Sequence, residues 1–465
     1  MGRLVVAAAA ALALAAPAQA KLPLHSCVVS RAYGVCGKVV VPENRAQPQG
    51  RKIALRVMVL KAVLPHPRPD PLFYLIGGPG LPATYDAQAM ASGAFATINQ
   101  DHDIVLVDQR GTGASNVLSC PKPPAFETPK QAIAWVRSCT SPARLGGDAR
   151  FYGSVDAADD LEAVRKALGY GKVDLYGVSY GTVVEQVFMN RHPGSVRAVV
   201  LDGSTLIDIP IWERFGSNGQ LALDRIAKRC AADPGCAKAF PAWEAGLPKL
   251  LARLDAKPLD RKVNGQRVQV DGKGAAEVIQ SMSQNAEQAA TIPFVVARAE
   301  RGNDGPLAAA ALRPSFASAP PAAIMPYSVM CNEPWSRWNL ANATADAKGT
   351  YLAKAVVADA NRMHLICAGF PKRSQSPADW RRPHLDVPLL ALVGAGDPQN
   401  PVRNISGIKQ GVPRARLVVV PAYAHVVGGL GCMPYLMERF LATGSAQKLD
   451  LSCAHTIPPL PFRLR

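Results

Sequence analysis

The chain has 465 residues, 48% of them apolar, enough for a sizeable buried core and too many for one minimal domain. Lysine and arginine outnumber aspartate and glutamate 52 to 35, a net charge of +17. The basic residues are spread out with no long cluster, which argues against a nucleic-acid-binding arm and leaves a solvated basic surface with at most weak attraction to anionic cell-envelope polymers.

The N-terminus carries Arg3, an apolar run over 4–16, then Pro17-Ala18-Gln19-Ala20. This is the layout of a cleavable export signal, with cutting expected after Ala20 and delivery to the periplasm or the medium. The run is too short to span a bilayer comfortably, and no later stretch reads as a membrane-spanning helix. All ten cysteines lie beyond the expected cut. An even count in an exported chain points to disulfides. Pairing by closest spacing gives Cys27–Cys36, Cys120–Cys139, Cys230–Cys236, Cys331–Cys367 and Cys432–Cys453. No cysteine and histidine spacing matches a zinc site.

Residues 38–41 and 53–63 read as antiparallel opening strands. Short apolar runs at 72–76 and 104–107 end in Gly77-Gly78-Pro79-Gly80 and in Asp108-Gln109-Arg110-Gly111-Thr112-Gly113. An amphipathic helix follows over 154–168, with Ala158, Leu161, Val164 and Leu168 on one face. Asp156, Asp159 and Asp160 begin it, Lys166 lies in its last turn, and Gly169 is a natural stop. Strands are expected at 173–176 and 198–201. Buried apolar runs interleaved with helices predict an α/β core whose mostly parallel sheet is covered on both faces. Over 205–383 the strand signals fade and helical stretches dominate, at 219–231, 243–254, 275–290 and 347–361. Strand rhythm returns at 388–393 and 417–420. The expected organisation is a signal over 1–20, a core over 21–204 and 384–465, and an interrupting helical cap over 205–383.

Chemistry is concentrated where strands end. Gly177-Val178-Ser179-Tyr180-Gly181 is a G-x-S-x-G pattern at a strand-to-helix turn, which lifts a serine hydroxyl clear of the sheet. Such a serine needs a base and an acid, in the order Ser, acid, His. Asp397 in Gly396-Asp397-Pro398 and His425 in Ala424-His425 each follow a strand, so both belong on the same sheet edge as Ser179. Asp202 also follows a strand and is an alternative acid. His455 has no clear strand before it, and His384 breaks the order. Two backbone N–H donors are needed for the oxyanion. Tyr180 supplies one and Gly78 the other, with Gly77 as alternative, since Pro79 has no N–H. No metal or organic cofactor is implied, because nucleophile and base are both side chains.

The glycine loop after Ile76, Asp108-Gln109-Arg110-Gly111-Thr112-Gly113, the Ser179 elbow and Gly396-Asp397-Pro398 occur in order. Together they resemble the prolyl-aminopeptidase and tripeptidyl-aminopeptidase group of α/β-hydrolases. Gly431-Cys432-Met433-Pro434, Phe440-Leu441 and Leu451-Ser452-Cys453 are similar to the tail of the secreted tripeptidyl branch. The resemblance covers most of the core and the cap only weakly. The group's glycine loop usually begins with histidine, and Ile76 stands there, so any polar role of that histidine is lost. The resemblance implies an α/β-hydrolase core with a helical cap and cleavage at the free N-terminus of short peptides. It also implies an anion for the substrate ammonium. Glu333, beside Trp335 in Cys331-Asn332-Glu333-Pro334-Trp335, is the candidate, with a structural brace as the competing role. Glu213 is the alternative anchor. Arg110 is expected to pair with a carboxylate and brace loops. Two other functions stay open: an esterase or lipase-like acyl hydrolase with the same machinery, and a silent binding protein on the same fold.

Overall fold

Apolar runs too short for helices and rich in valine, leucine and isoleucine form the strands of the protein, described here from a computed structural model over residues 22–121, 128–313 and 324–465. The strands are β1 (His25–Val29), β2 (Ala32–Pro42), β3 (Lys52–Leu60), β4 (Leu72–Leu75), β5 (Ile104–Val107), β6 (Val173–Val178), β7 (Val196–Asp202), β8 (Leu259–Val263), β9 (Gln266–Val270), β10 (Leu389–Gly394) and β11 (Ala415–Val420). Nine of them make one sheet in the order β1-β2-β3-β5-β4-β6-β7-β10-β11. The first three run antiparallel, and β5 onward pair in parallel. Strands β4, β6 and β10 are buried at every position, as a sheet covered on both faces requires. One apolar cluster fills each face.

Two helices matter for the site. Helix α1 (Ser154–Leu168) ends at Gly169 in a left-handed conformation, as its sequence predicts. Helix α2 (Gly181–Arg191) starts two residues after Ser179. Between β7 and β10 lie α3 (Phe215–Ala232), α4 (Trp243–Ala256), α5 (Gly272–Ser283), α6 (Met325–Asn332) and α7 (Ala353–Gly369), with shorter helices among them. This insertion has its own apolar cores. It is not purely helical: β8 and β9 form a hairpin closed by Asn264 and Gly265, both with positive φ. The expected helix over 347–361 is also interrupted, because Gly349 turns left-handed and α7 begins only at Ala353. Among the described residues no helix is long and apolar enough to cross a membrane.

All five cysteine pairs fall at disulfide distance in the nearest-neighbour arrangement, with Cα–Cα separations from 5.0 to 6.4 Å. The export signal over 1–20 lies outside the described residues.

Candidate active site

Ser179 has φ 53°, a left-handed backbone that a side-chain-bearing residue adopts at a cost. Two glycines permit it. A Cβ on Gly177 would strike the Glu185 carboxylate, and one on Gly181 would strike the Leu75 carbonyl. The loop after β4 passes over the serine: a Cβ on Gly77 would stand 2.9 Å from that of Ser179. The Ser179 N–H donates to the Asp202 carbonyl at 2.9 Å, tying the turn to the end of β7.

Asp397 and His425 meet from the ends of β10 and β11. His425 Nδ1 lies 2.7 Å from Asp397 Oδ2. The other carboxylate oxygen accepts the N–H groups of Gln399 at 2.9 Å and Asn400 at 2.8 Å. Asp397 is therefore fixed, and it is 1% exposed. Burial opposes a charged imidazole, but the Asp397 charge and hydrogen bond, helped by Asp202, outweigh it and hold His425 above the ordinary histidine value. The imidazole packs against Gly203, just after β7, since a Cβ there would lie 3.1 Å from its Nδ1 and Cε1. The insertion between β7 and β10 also reaches this loop: the His425 N–H donates to the Gln284 carbonyl at 3.1 Å.

The competing residues are placed elsewhere. Asp202 accepts the N–H groups of Val427 at 2.8 Å and Gly428 at 2.7 Å, and the Tyr176 hydroxyl at 3.2 Å. It secures the loop just beyond His425, and burial pushes its pKa up to about 6. That positioning role is missed by a reading of Asp202 as a possible acid, although its place at a strand end was the signal for it. His384 packs beside Gly411, and His455 is exposed on a short C-terminal helix.

Among the described residues no acceptor meets the backbone N–H of Gly77, Gly78 or Tyr180. The Tyr180 side chain is buried and anchored. Its hydroxyl lies 2.9 Å from Ser154 Oγ and accepts from Gln109 Nε2 at 3.0 Å, and its ring packs 6.0 Å from that of Trp335.

Glu333 is not arranged as a bare counter-ion. It is 3% exposed, and three donors already hold it. Its Oε1 accepts the Ser154 N–H at 2.6 Å, and its Oε2 accepts Ser154 Oγ at 2.8 Å and Trp335 Nε1 at 2.6 Å. Burial pushes its pKa up to about 7 against those donors. It caps the start of α1, where free N–H groups favour an acceptor. Glu213 is likewise taken, by Arg337 Nε at 3.0 Å and Asn342 Nδ2 at 2.7 Å. Arg110 makes the expected brace: it is fully buried, with a bidentate pair to Asp160 at 2.6 Å for each bond and further bonds to the carbonyls of Glu43 and Phe151.

At the opposite edge of the sheet, Asp70, His102 and Asp174 offer ligand atoms within 4.8 Å of one another. Arg197 pairs with both carboxylates there, so a guanidinium already supplies the positive charge that a cation would bring.

Residues 71–429 match the family described as alpha/beta hydrolase fold. The chain belongs to that family. The hydrolase is 26% identical to a tripeptidyl aminopeptidase of Streptomyces coelicolor, over 92% of its own length and 84% of the relative's. It is 28% identical to the serine protease Hip1 of Mycobacterium tuberculosis over 43% of its length and 42% of the relative's. It is also 28% identical to a proline iminopeptidase of Neisseria gonorrhoeae over 29% of its length and 32% of the relative's. With serine peptidases as relatives, it is a serine hydrolase.

Proposed function

We propose that this hydrolase is an exported aminopeptidase that releases one to three residues from the free N-termini of short peptides. In this reading Ser179 attacks the scissile carbonyl, and His425 takes its proton and returns it to the leaving amine. Asp397 holds the imidazole tautomer and stabilises the imidazolium. The N–H groups of Gly78 and Tyr180 receive the oxyanion. The acyl-enzyme is then hydrolysed by the same groups in reverse order. The observation that carries the reading is the 2.7 Å Asp397–His425 pair, packed on Gly203 just after β7, the strand whose Asp202 carbonyl also accepts the Ser179 N–H. The similarity to a tripeptidyl aminopeptidase along 92% of the chain supports the peptide substrate. Five cysteine pairs at bonding distance support export.

A second reading, an esterase-type acyl hydrolase, is favoured by one observation. Both carboxylates offered for the substrate ammonium, Glu333 and Glu213, already have internal partners. In the aminopeptidase reading Glu333 and Trp335 act through Tyr180 and the wall of the site rather than by direct contact with the amine.

A fluorophosphonate probe should label wild type and not Ser179→Ala; an unlabelled wild type would remove the nucleophile assignment. Peptide arylamides with free and acetylated N-termini then separate the two readings. Equal turnover of both would reject aminopeptidase specificity and favour the acyl-hydrolase reading.

A further inference from the structure

Helix α2 carries a glutamate that the chemistry above does not use. Glu185 lies four residues after Gly181, on the same face of the helix, directed at the end of β6. It is fully buried, and neither carboxylate oxygen has a hydrogen-bond partner among the described residues. Its carboxylate fills the space that a side chain on Gly177 would need. The Gly177 N–H approaches it but falls short of hydrogen-bond geometry. The charged group acting on it is Asp202 at the end of β7, also an acid, and no cation offsets it among the described residues.

We propose that Glu185 is a positioning residue for Ser179, a strut between α2 and Gly177 that fixes the height of the nucleophile elbow. The elbow needs such support. Gly177 and Gly181 have no side chains, and strand and helix close on each other there: a Cβ on Gly177 would lie 2.8 Å from the Gly181 carbonyl carbon, beside the turn that holds Ser179 at φ 53°. From the next helical turn the Glu185 carboxylate packs into the space beside Gly177, and a shorter residue would leave that space empty. Burial and the neighbouring Asp202 both oppose ionisation and hold this carboxyl well above its usual range, which favours the uncharged form of the strut. Two consequences follow. Shortening the side chain lets the elbow relax, and ionising it at alkaline pH places an unpaired charge against Gly177 and Asp202.

The inference rests on Ser179 being the nucleophile, so the test reads the two separately. The rate of fluorophosphonate labelling is measured against pH for wild type, Ser179→Ala, Glu185→Ala and Glu185→Gln, alongside arylamide kinetics and melting curves. Glu185→Ala should be labelled about 10²-fold more slowly, with kcat falling and KM nearly unchanged, because small misplacements of a reacting atom carry penalties of that order. Glu185→Gln keeps the length and cannot ionise. It should recover most of the neutral-pH rate and lose the alkaline decline that the strut predicts for wild type. Failure of wild type to label refutes the nucleophile assignment and this inference with it. Wild-type labelling with an equally fast Glu185→Ala overturns the strut alone. A Glu185→Gln protein that keeps the wild-type alkaline decline also overturns it, including where the alanine variant does not fold.

Discussion

Glu333→Gln separates a structural carboxylate from a substrate anchor. In wild type the carboxylate satisfies three donors: the Ser154 N–H, the Ser154 hydroxyl and the Trp335 indole N–H. Glutamine keeps one acceptor oxygen and introduces an NH2 group. If the oxygen stays on the Ser154 N–H, the NH2 faces the indole N–H. If it turns to the indole, the NH2 faces the Ser154 N–H. The serine hydroxyl can rotate to accept, but one backbone or indole donor is stranded in either orientation. Leaving a buried donor unsatisfied costs about 1–3 kcal/mol. Part of this is offset, because burial disfavours the charge that the substitution removes. The expected outcome is a lower unfolding midpoint in urea at pH 8 and a several-fold loss of kcat transmitted through Ser154 to Tyr180. The preference for free over acetylated N-termini should not change. Unaltered stability with that preference abolished would refute this reasoning and make Glu333 the ammonium anchor.

Asp397→Asn should lower kcat by about 10⁴, the loss expected when the imidazole is held in the wrong tautomer, with the folded state intact because the N–H groups of Gln399 and Asn400 keep an acceptor. The kcat/KM of wild type should fall on acidification with a midpoint above the ordinary histidine value, since the base must be neutral and its pKa is raised; a midpoint at or below that value contradicts the Asp397–His425 pairing. Asp202 and Glu333 have folded pKa values raised to about 6 and about 7, so each binds a proton more tightly in the fold than in the unfolded chain. Their contribution to stability is complete below the unfolded carboxylate range and is lost as pH rises through those values; Asp202→Asn should flatten that part of a pH–stability curve measured by denaturant titration. Removing Cys331–Cys367, with a separation of 36, should cost about 4 kcal/mol by loop entropy, against about 2 kcal/mol for Cys230–Cys236 with a separation of 6, and calorimetry of the paired serine variants would rank them.

Much of the core is legible because its signals are local. Helix α1 shows its boundaries through an apolar face and the left-handed Gly169, and both survive in the fold unchanged. Ser179, Asp397 and His425 stand out because each follows a short apolar run, and parallel strands deliver such residues to one edge. The cap is less legible for physical reasons. Strands β8 and β9 are half solvent-exposed and rich in lysine, arginine and glutamine, so they lack the apolar run that marks a core strand. The Asn264-Gly265 turn between them was the available signal, since that pair readily adopts positive φ at both positions. Strand β1 is similar: it is mostly exposed and pairs on only one side.

The carboxylates mark a different boundary. What Glu333 does depends on donors 179 residues away in sequence, and Glu213 depends on Arg337 and Asn342 across the cap. No spacing rule reports such partners, so an acidic residue beside an aromatic reads equally as an anchor and as a brace. The fold resolves this through lone-pair occupancy. Three donors at 2.6–2.8 Å fill three of the roughly four lone-pair sites of Glu333 and leave only Oε1 with one to spare, on a residue 3% exposed. An ammonium that displaced a Ser154 donor would free Ser154, which holds the Tyr180 hydroxyl. Binding by that route would loosen Tyr180, the residue proposed to offer an oxyanion N–H, the reverse of what catalysis requires. We therefore propose that Glu333 holds the site together and that other residues meet the substrate amine, which the stability and N-terminal preference of Glu333→Gln would decide.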